Sequence, residues 1–133
     1  MHSESHYNSL IVKALRQRLP HGVVFKLADT FTTGVPDIVV SLNRRTSWFE
    51  AKIIDSKWIE GDYVTVKPKE HVPAVQWETL RILGGHLIAY TSAGHGVTLV
   101  SEHREITPVF KLRLMSLKDL VHVIIEICKG DKL

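Results

Sequence analysis

An α/β domain with a central mixed sheet flanked by helices is what three features of the sequence predict. An amphipathic helical stripe occupies residues 3–19, and two strand-like runs at 35–42 and 46–54 follow about a polar turn. A helical stretch that stops at Gly84-Gly85 then leads into a short apolar strand, residues 86–91. A tight turn joins antiparallel neighbours, whereas a strand reached through a helical crossover suits a parallel partner, so both pairings are expected in one sheet.

The outer bounds agree with one such unit. A chain of 133 residues with 44% apolar residues suits a single domain, with a core at about 4–91 and an additional strand and helix over 96–129. No apolar run is long enough to span a membrane and the start, MHSESHYNSL, is polar, so no membrane partner or signal peptide is expected and the location is read as cytoplasmic. Cys128 has no second cysteine to pair with and falls in an apolar helical stretch, which makes it a core residue. The histidines show no zinc-binding spacing, and His2 and His6 share a helix face without a third ligand.

The elements follow in order. In the first helix Tyr7, Leu10, Ile11, Ala14, Leu15 and Leu19 recur at three- and four-residue spacing, and Pro20 with Gly22 ends it. Glu4 lies one turn before Tyr7 and either reaches toward the sheet or only complements the helix dipole. Val23 to Ala28 reads as the first strand, interrupted by Lys26, which either meets a phosphate or snorkels from an edge. Residues 29–34 form a polar connection, and the hairpin of 35–42 and 46–54 follows. Gly61-Asp62 between Trp58-Ile59 and Tyr63-Val64 suggests a second, smaller hairpin. Trp58 and Tyr63 among lysines suit base stacking, or the more common task of covering a sheet edge. Pro73 opens the helix that carries Gln76 and Trp77, with Trp77 assigned to the core. Gly94-His95-Gly96 turns the chain into a strand at 97–101. A further strand is expected at 109–114, and a helix from Leu117 to Lys129 begins at the Ser116 and Asp119 capping pair.

The stretch GVPDIVVSLNRRTSWFEAK, residues 34–52, organises the rest. Asp37, Glu50 and Lys52 interrupt otherwise apolar strands. Strand alternation puts Glu50 and Lys52 on one face. A two-residue loop at Asn43-Arg44 places Asp37 directly opposite Glu50, with Cβ atoms roughly 4.5–5.5 Å apart. An odd-length loop would place them on opposite faces. Two carboxylates that close repel unless a cation lies between them, and oxygen-only ligation suits Mg²⁺ or Mn²⁺. In the competing reading, Asp37 ends a turn while Glu50 and Lys52 form a solvated ion pair. Pro36 and Gly34 hold Asp37 at a rigid strand entry.

Gly34-Val35-Pro36-Asp37, twelve intervening residues and then Glu50-Ala51-Lys52 resemble the signature of the PD-(D/E)XK nuclease superfamily. With Gln76-Trp77 on a later helix, the wording is most similar to the VRR-Nuc (virus-type replication-repair nuclease) branch and to Holliday-junction resolvases. The match covers about residues 4–91. It implies a restriction-endonuclease-like core of order α-β-β-β-α-β. It also implies a metal-dependent endodeoxyribonuclease with Asp37, Glu50, Lys52 and Gln76 catalytic. Asp37, Glu50, the Ala51 carbonyl and a first-helix acid, here Glu4, would hold Mg²⁺ or Mn²⁺, with no other small-molecule cofactor. The expected work is cutting of branched or otherwise irregular DNA in recombination, repair or phage DNA processing, in a bacterial or phage-infected cell. The loop between Lys52 and Gln76 is longer than that compact core requires.

Net charge is +3, modest for a DNA partner, although a bound cation would offset the acids. Lys26, Arg44, Arg45, Lys57, Lys67 and Lys69 are the candidate DNA contacts, and solubility alone explains them nearly as well. A homodimer is expected, because resolving a junction takes two cuts and a domain of this size presents one site. The other readings are a restriction-type nuclease, a binding module that keeps the fold without cutting, and an interaction protein with an accidental motif.

Overall fold

The computed structural model describes residues 4–27, 35–91, 97–100 and 109–130. The predicted connection at 29–34, with Gly34, and the Gly94-His95-Gly96 turn fall outside them, as do His2 and Ser3.

Helix α1 (Glu4–Arg18) buries Asn8, Ile11, Val12 and Leu15, so the buried stripe shares Ile11 and Leu15 with the predicted one but is turned towards Asn8 and Val12 and leaves Leu10 exposed. Strands β1 (Val23–Lys26), β2 (Ile38–Leu42) and β3 (Arg45–Ile54) form an antiparallel meander. Asn43 and Arg44 both have positive φ, 50° and 67°, as a two-residue type I′ turn requires. That even-length turn pairs Leu42 with Arg45 and Ile38 with Phe49, which puts Asp37 next in line with Glu50. Asn tolerates this backbone; Arg at the second position is strained.

After β3 a single 3₁₀ turn, Ser56–Trp58, leads into β4 (Ile59–Glu60) and β5 (Tyr63–Val66), the small hairpin expected there. The region is more structured than its sequence suggests. Helix α2 (Pro68–His71) takes Pro68 at its first turn, while Pro73, predicted to open the following helix, is the residue just before α3 (Ala74–Leu83). Gly84 ends α3 in the left-handed conformation, φ 65°. Gly85 is tightly packed: a Cβ there would lie 2.5 Å from Leu80 Cδ2 and 3.0 Å from the Trp48 carbonyl oxygen, so both neighbours would have to shift.

Strand β6 (His86–Thr91) runs parallel to β3, and β7 (Val97–Val100) runs antiparallel to β6. The sheet order is β1-β2-β3-β6-β7, a mixed sheet. Strand β8 (Phe110–Arg113) pairs with β5 and so completes a second sheet, β4-β5-β8. Helix α4 (Leu117–Cys128) is capped by Ser116 Oγ, which accepts from the Asp119 N–H at 3.1 Å.

Alternation along the central strands divides the packing in two. Phe49 and Ala51 of β3, with Ile88 and Tyr90 of β6, face the layer of α1 and α4, which supply Ile11, Leu15, Leu120 and Ile124. Ile54, Leu87 and Ala89 face the opposite side, against Trp77 and Leu80 of α3 and Val64 and Val66 of the small sheet. Cys128 and Trp77 are buried, as expected of core residues. The result is a mixed α/β fold with a central mixed sheet between helical layers, in the predicted order.

Candidate active site

The site lies where β2 and β3 part. Their ladder begins at Ile38 and Phe49, yet β3 runs on to Ile54, so its next residues have no β2 partner. Side chains take those backbone groups. The Ala51 N–H donates to Asp37 Oδ2 at 3.0 Å, and the Ile53 N–H donates to the Glu4 carboxylate. A strand residue's N–H and C=O point the same way, so the Ala51 carbonyl faces the same gap as Asp37.

Lys52 Nζ lies 4.0 Å from Glu4 Oε1. The first turn of α1 therefore reaches the sheet, and Tyr7, one turn later, stacks on Tyr90 with ring centroids 4.1 Å apart and planes 11° apart. Glu50 is 2% exposed. Burial is the largest cause pushing its carboxyl up to about 9; a hydrogen bond with Asp37 and the charges of Asp37 and Glu4 add to it, and Lys52 opposes it. A carboxyl–carboxyl hydrogen bond needs a proton, so near neutral pH the Asp37–Glu50 pair holds one. Glu50 Oε2 is buried without a hydrogen-bond partner. Burial also raises the Glu4 carboxyl, with Lys52 and the Ile53 N–H pulling it back.

This donor set fits a hard divalent cation: the orphaned Glu50 oxygen, the Asp37 carboxylate next in register with it, and a backbone carbonyl facing the same gap. Among the described residues, no three His, Cys, Asp or Glu side chains converge as a ready-made metal cluster. Glu4 is held by Lys52 and the Ile53 N–H, which positions Lys52. Gln76 sits half-buried on α3, on the sheet face from which Glu50 and Lys52 project, and its Oε1 is buried without a partner. No hydrogen bond ties that oxygen to the carboxylates or to Lys52.

The predicted DNA contacts do not form one surface. Lys26 is beside the site: it pairs with Ile38, and the neighbouring Leu27 N–H donates to the Asp37 carbonyl at 2.7 Å. Its ammonium binds Ser5 O, Ser5 Oγ and Ser9 Oγ at 3.3, 2.9 and 3.0 Å. Arg44 and Arg45 instead lie at the far end of the hairpin, about 16 Å of strand away from Asp37, with the Arg45 guanidinium against Gly130. Lys57 and Lys67 lie over the Trp58 ring, 5.8 and 5.1 Å from its centroid, and Trp58 packs on the small-sheet core beside His71. Trp58 therefore covers a sheet, the commoner of its two predicted tasks. Lys69 is exposed on α2.

Sequence reasoning missed Tyr90. Its hydroxyl is fully buried without a partner, and burial, then the charges of Asp37, Tyr7 and Glu4, raise its pKa. The phenol is thus within electrostatic range of the site. The only signal was a polar-tipped aromatic near the end of an otherwise apolar strand.

Fold and site together define an α/β protein with two carboxylates and a lysine gathered where two strands of its central sheet part. No family model and no curated protein matches the chain. Among solved structures it is similar to Hjc, a Holliday junction resolvase of Archaeoglobus fulgidus, at 14% identity and a TM-score of 0.47, covering 92% of this chain and 98% of that one. A likeness at that level carries nothing about activity.

Proposed function

We propose that the chain is a metal-dependent DNA endonuclease that hydrolyses phosphodiester bonds with the Asp37, Glu50 and Lys52 constellation. The observation that carries this reading is the buried Glu50 carboxyl, which lies next in register with Asp37, on the strand face of Lys52, and leaves its Oε2 without a hydrogen-bond partner. A buried acceptor of this kind costs about 1–3 kcal/mol, and the arrangement is explained if a cation replaces the proton.

Asp37, Glu50 and the Ala51 carbonyl would hold Mg²⁺ or Mn²⁺. When bound, the cation supplies positive charge at the phosphate oxygens, where negative charge grows during hydrolysis. The remaining work belongs to the chain. Asp37 is fixed by the Ala51 N–H. Glu50 releases the shared proton as the site fills. Lys52, on the same strand face as Glu50 and steadied by Glu4, presents its ammonium to the phosphate or to the attacking water. Water adds to phosphorus and the leaving oxygen departs with a proton; that it is the 3′ oxygen, giving a 5′-phosphate end, rests on the motif resemblance alone.

Preference for branched DNA, the VRR-Nuc branch and a homodimer that makes two cuts are proposed on the motif resemblance alone. So are a role in recombination, repair or phage DNA processing and a cytoplasmic location. No helix among the described residues is long and apolar enough to cross a membrane.

Purified protein with Mg²⁺ or Mn²⁺ would be given labelled linear duplex, single strand, flap and four-way junction, beside Asp37→Asn and Lys52→Ala. Metal-dependent cutting lost in both variants supports the proposal, and the preferred substrate selects the branch. DNA binding without cutting on any substrate would replace it with a binding module.

A further inference from the structure

The proposed chemistry does not use the charged groove between α1 and the outer strand β1. Its volume is about 390 Å³, and Ser9, Val12, Lys13, Arg16, Gln17 and Lys26 line it. Three of the six are cations and none is an anion, although acids and bases are nearly balanced over the chain, at 14 and 17. Three cations without an anion give the groove a charge that favours an anionic occupant.

Two of the cations are fixed. Arg16 donates from Nε and Nη2 to the Val24 carbonyl at 3.1 and 2.8 Å, which covers the free edge of β1 and leaves three N–H groups for another acceptor. Lys26 is anchored on Ser5 and Ser9, so it contributes charge more than new hydrogen bonds. Edge protection and anchoring account for these two. They do not account for Lys13, which is exposed and has no ion-pair partner among the described residues.

One end of the groove approaches the candidate active site around the end of the sheet, since Lys26 faces α1 whereas Asp37, Glu50 and Lys52 project from the other face. Ser5 follows Glu4, and the residue after Lys26 hydrogen-bonds the Asp37 carbonyl. From Ser9 to Arg16 the helix advances about 10 Å at 1.5 Å per residue. At about 3.4 Å per nucleotide along a strand, that length accommodates roughly three nucleotides.

We propose that the α1–β1 groove is a binding track for the phosphodiester backbone of one nucleic-acid strand, which it leads to the carboxylates past Lys26, with Lys13 and Arg16 as its further contacts. The inference rests on the nuclease reading and specifies where the strand beside the cut phosphate lies. Lys13 is the residue to change, since it is exposed and supports no other element.

Binding of a labelled oligodeoxythymidylate and of a labelled duplex would be measured by anisotropy in EDTA, between about 50 and 200 mM salt. The proteins are wild type, Lys13→Ala, Lys13→Glu and, as a charge-matched control on α4, Lys118→Ala. The track predicts that Lys13→Ala weakens both probes about 3- to 10-fold and lowers the slope of log affinity against log salt by about 0.7–0.9, the value of one phosphate contact. Lys13→Glu weakens binding further, and Lys118→Ala matches wild type. Wild-type binding with an unchanged slope in both Lys13 variants would overturn the track and leave the nuclease reading standing. A wild-type protein that binds neither probe would overturn the track, and one that in addition cuts no duplex, single strand, flap or four-way junction with Mg²⁺ or Mn²⁺ would overturn both.

Discussion

Replacing Glu50 with Gln tests the shared-proton site through stability, without any need for substrate. The Glu50 carboxyl ordinarily titrates near 4.5 and is pushed up to about 9 in the fold. For an acid raised in this way the folded state holds the proton more tightly than the unfolded chain. Its stabilising effect is complete below the unfolded value and is lost as pH rises towards the folded one. At pH 7, two and a half pH units above 4.5, the loss is about 3 kcal/mol at ~1.36 kcal/mol per unit; at pH 5 it is under about 1 kcal/mol. Gln keeps the shape, stays neutral and can donate to Asp37. Wild type in EDTA should therefore lose about 2–3 kcal/mol between pH 5 and pH 7 relative to Glu50→Gln, read by urea unfolding at each pH. At pH 7 the variant should melt roughly 10 °C higher. Mg²⁺ should stabilise wild type and leave the variant unchanged. The reasoning fails if the stability difference between the two proteins is the same at pH 5 and pH 7.

Other expectations follow from the same geometry. Asp37→Asn and Lys52→Ala should each lower single-turnover cleavage by about 10²–10⁴-fold while keeping a cooperative melting transition. Glu4→Gln should slow cleavage less, about 10-fold, because it releases Lys52 rather than removing it; unchanged cleavage and Mg²⁺ affinity would take Glu4 out of the site. Arg44→Gly should raise stability by about 1 kcal/mol in urea unfolding, since Arg44 has φ 67° in a turn that favours Gly there, and a loss would contradict the type I′ assignment. Tyr90→Phe should leave the apoprotein as stable or about 1 kcal/mol more stable, because it removes a buried hydroxyl without a partner.

The heart of the site was legible because it depends on local pairing. Once Asn43-Arg44 closes as a two-residue turn, the placement of Asp37 against Glu50 and of Lys52 beside it follows by counting along two strands. The parallel pairing of His86–Thr91 was readable from the helix that precedes it. The second sheet was not, because β5 pairs with β8 across more than forty intervening residues, and neither strand announces the other in sequence. The stacking of Tyr7 on Tyr90 and the groove beside Lys26 were hidden for the same reason. Each depends on where α1 lies on the sheet, which periodicity leaves open. The DNA contacts were grouped by charge, although the turn at Asn43-Arg44 already put Arg44 and Arg45 at the opposite end of the hairpin from Asp37.

The most direct test of the central claim is the proton count on Mg²⁺ binding, from calorimetry at pH 7 in two buffers of different ionisation enthalpy. Asp37 and Glu50 should give up about one proton per bound ion, and Glu50→Gln should give up none and bind more weakly. Mg²⁺ binding without proton release in wild type, or no binding at all, would contradict the claim that this carboxyl pair is the cation site of a nuclease.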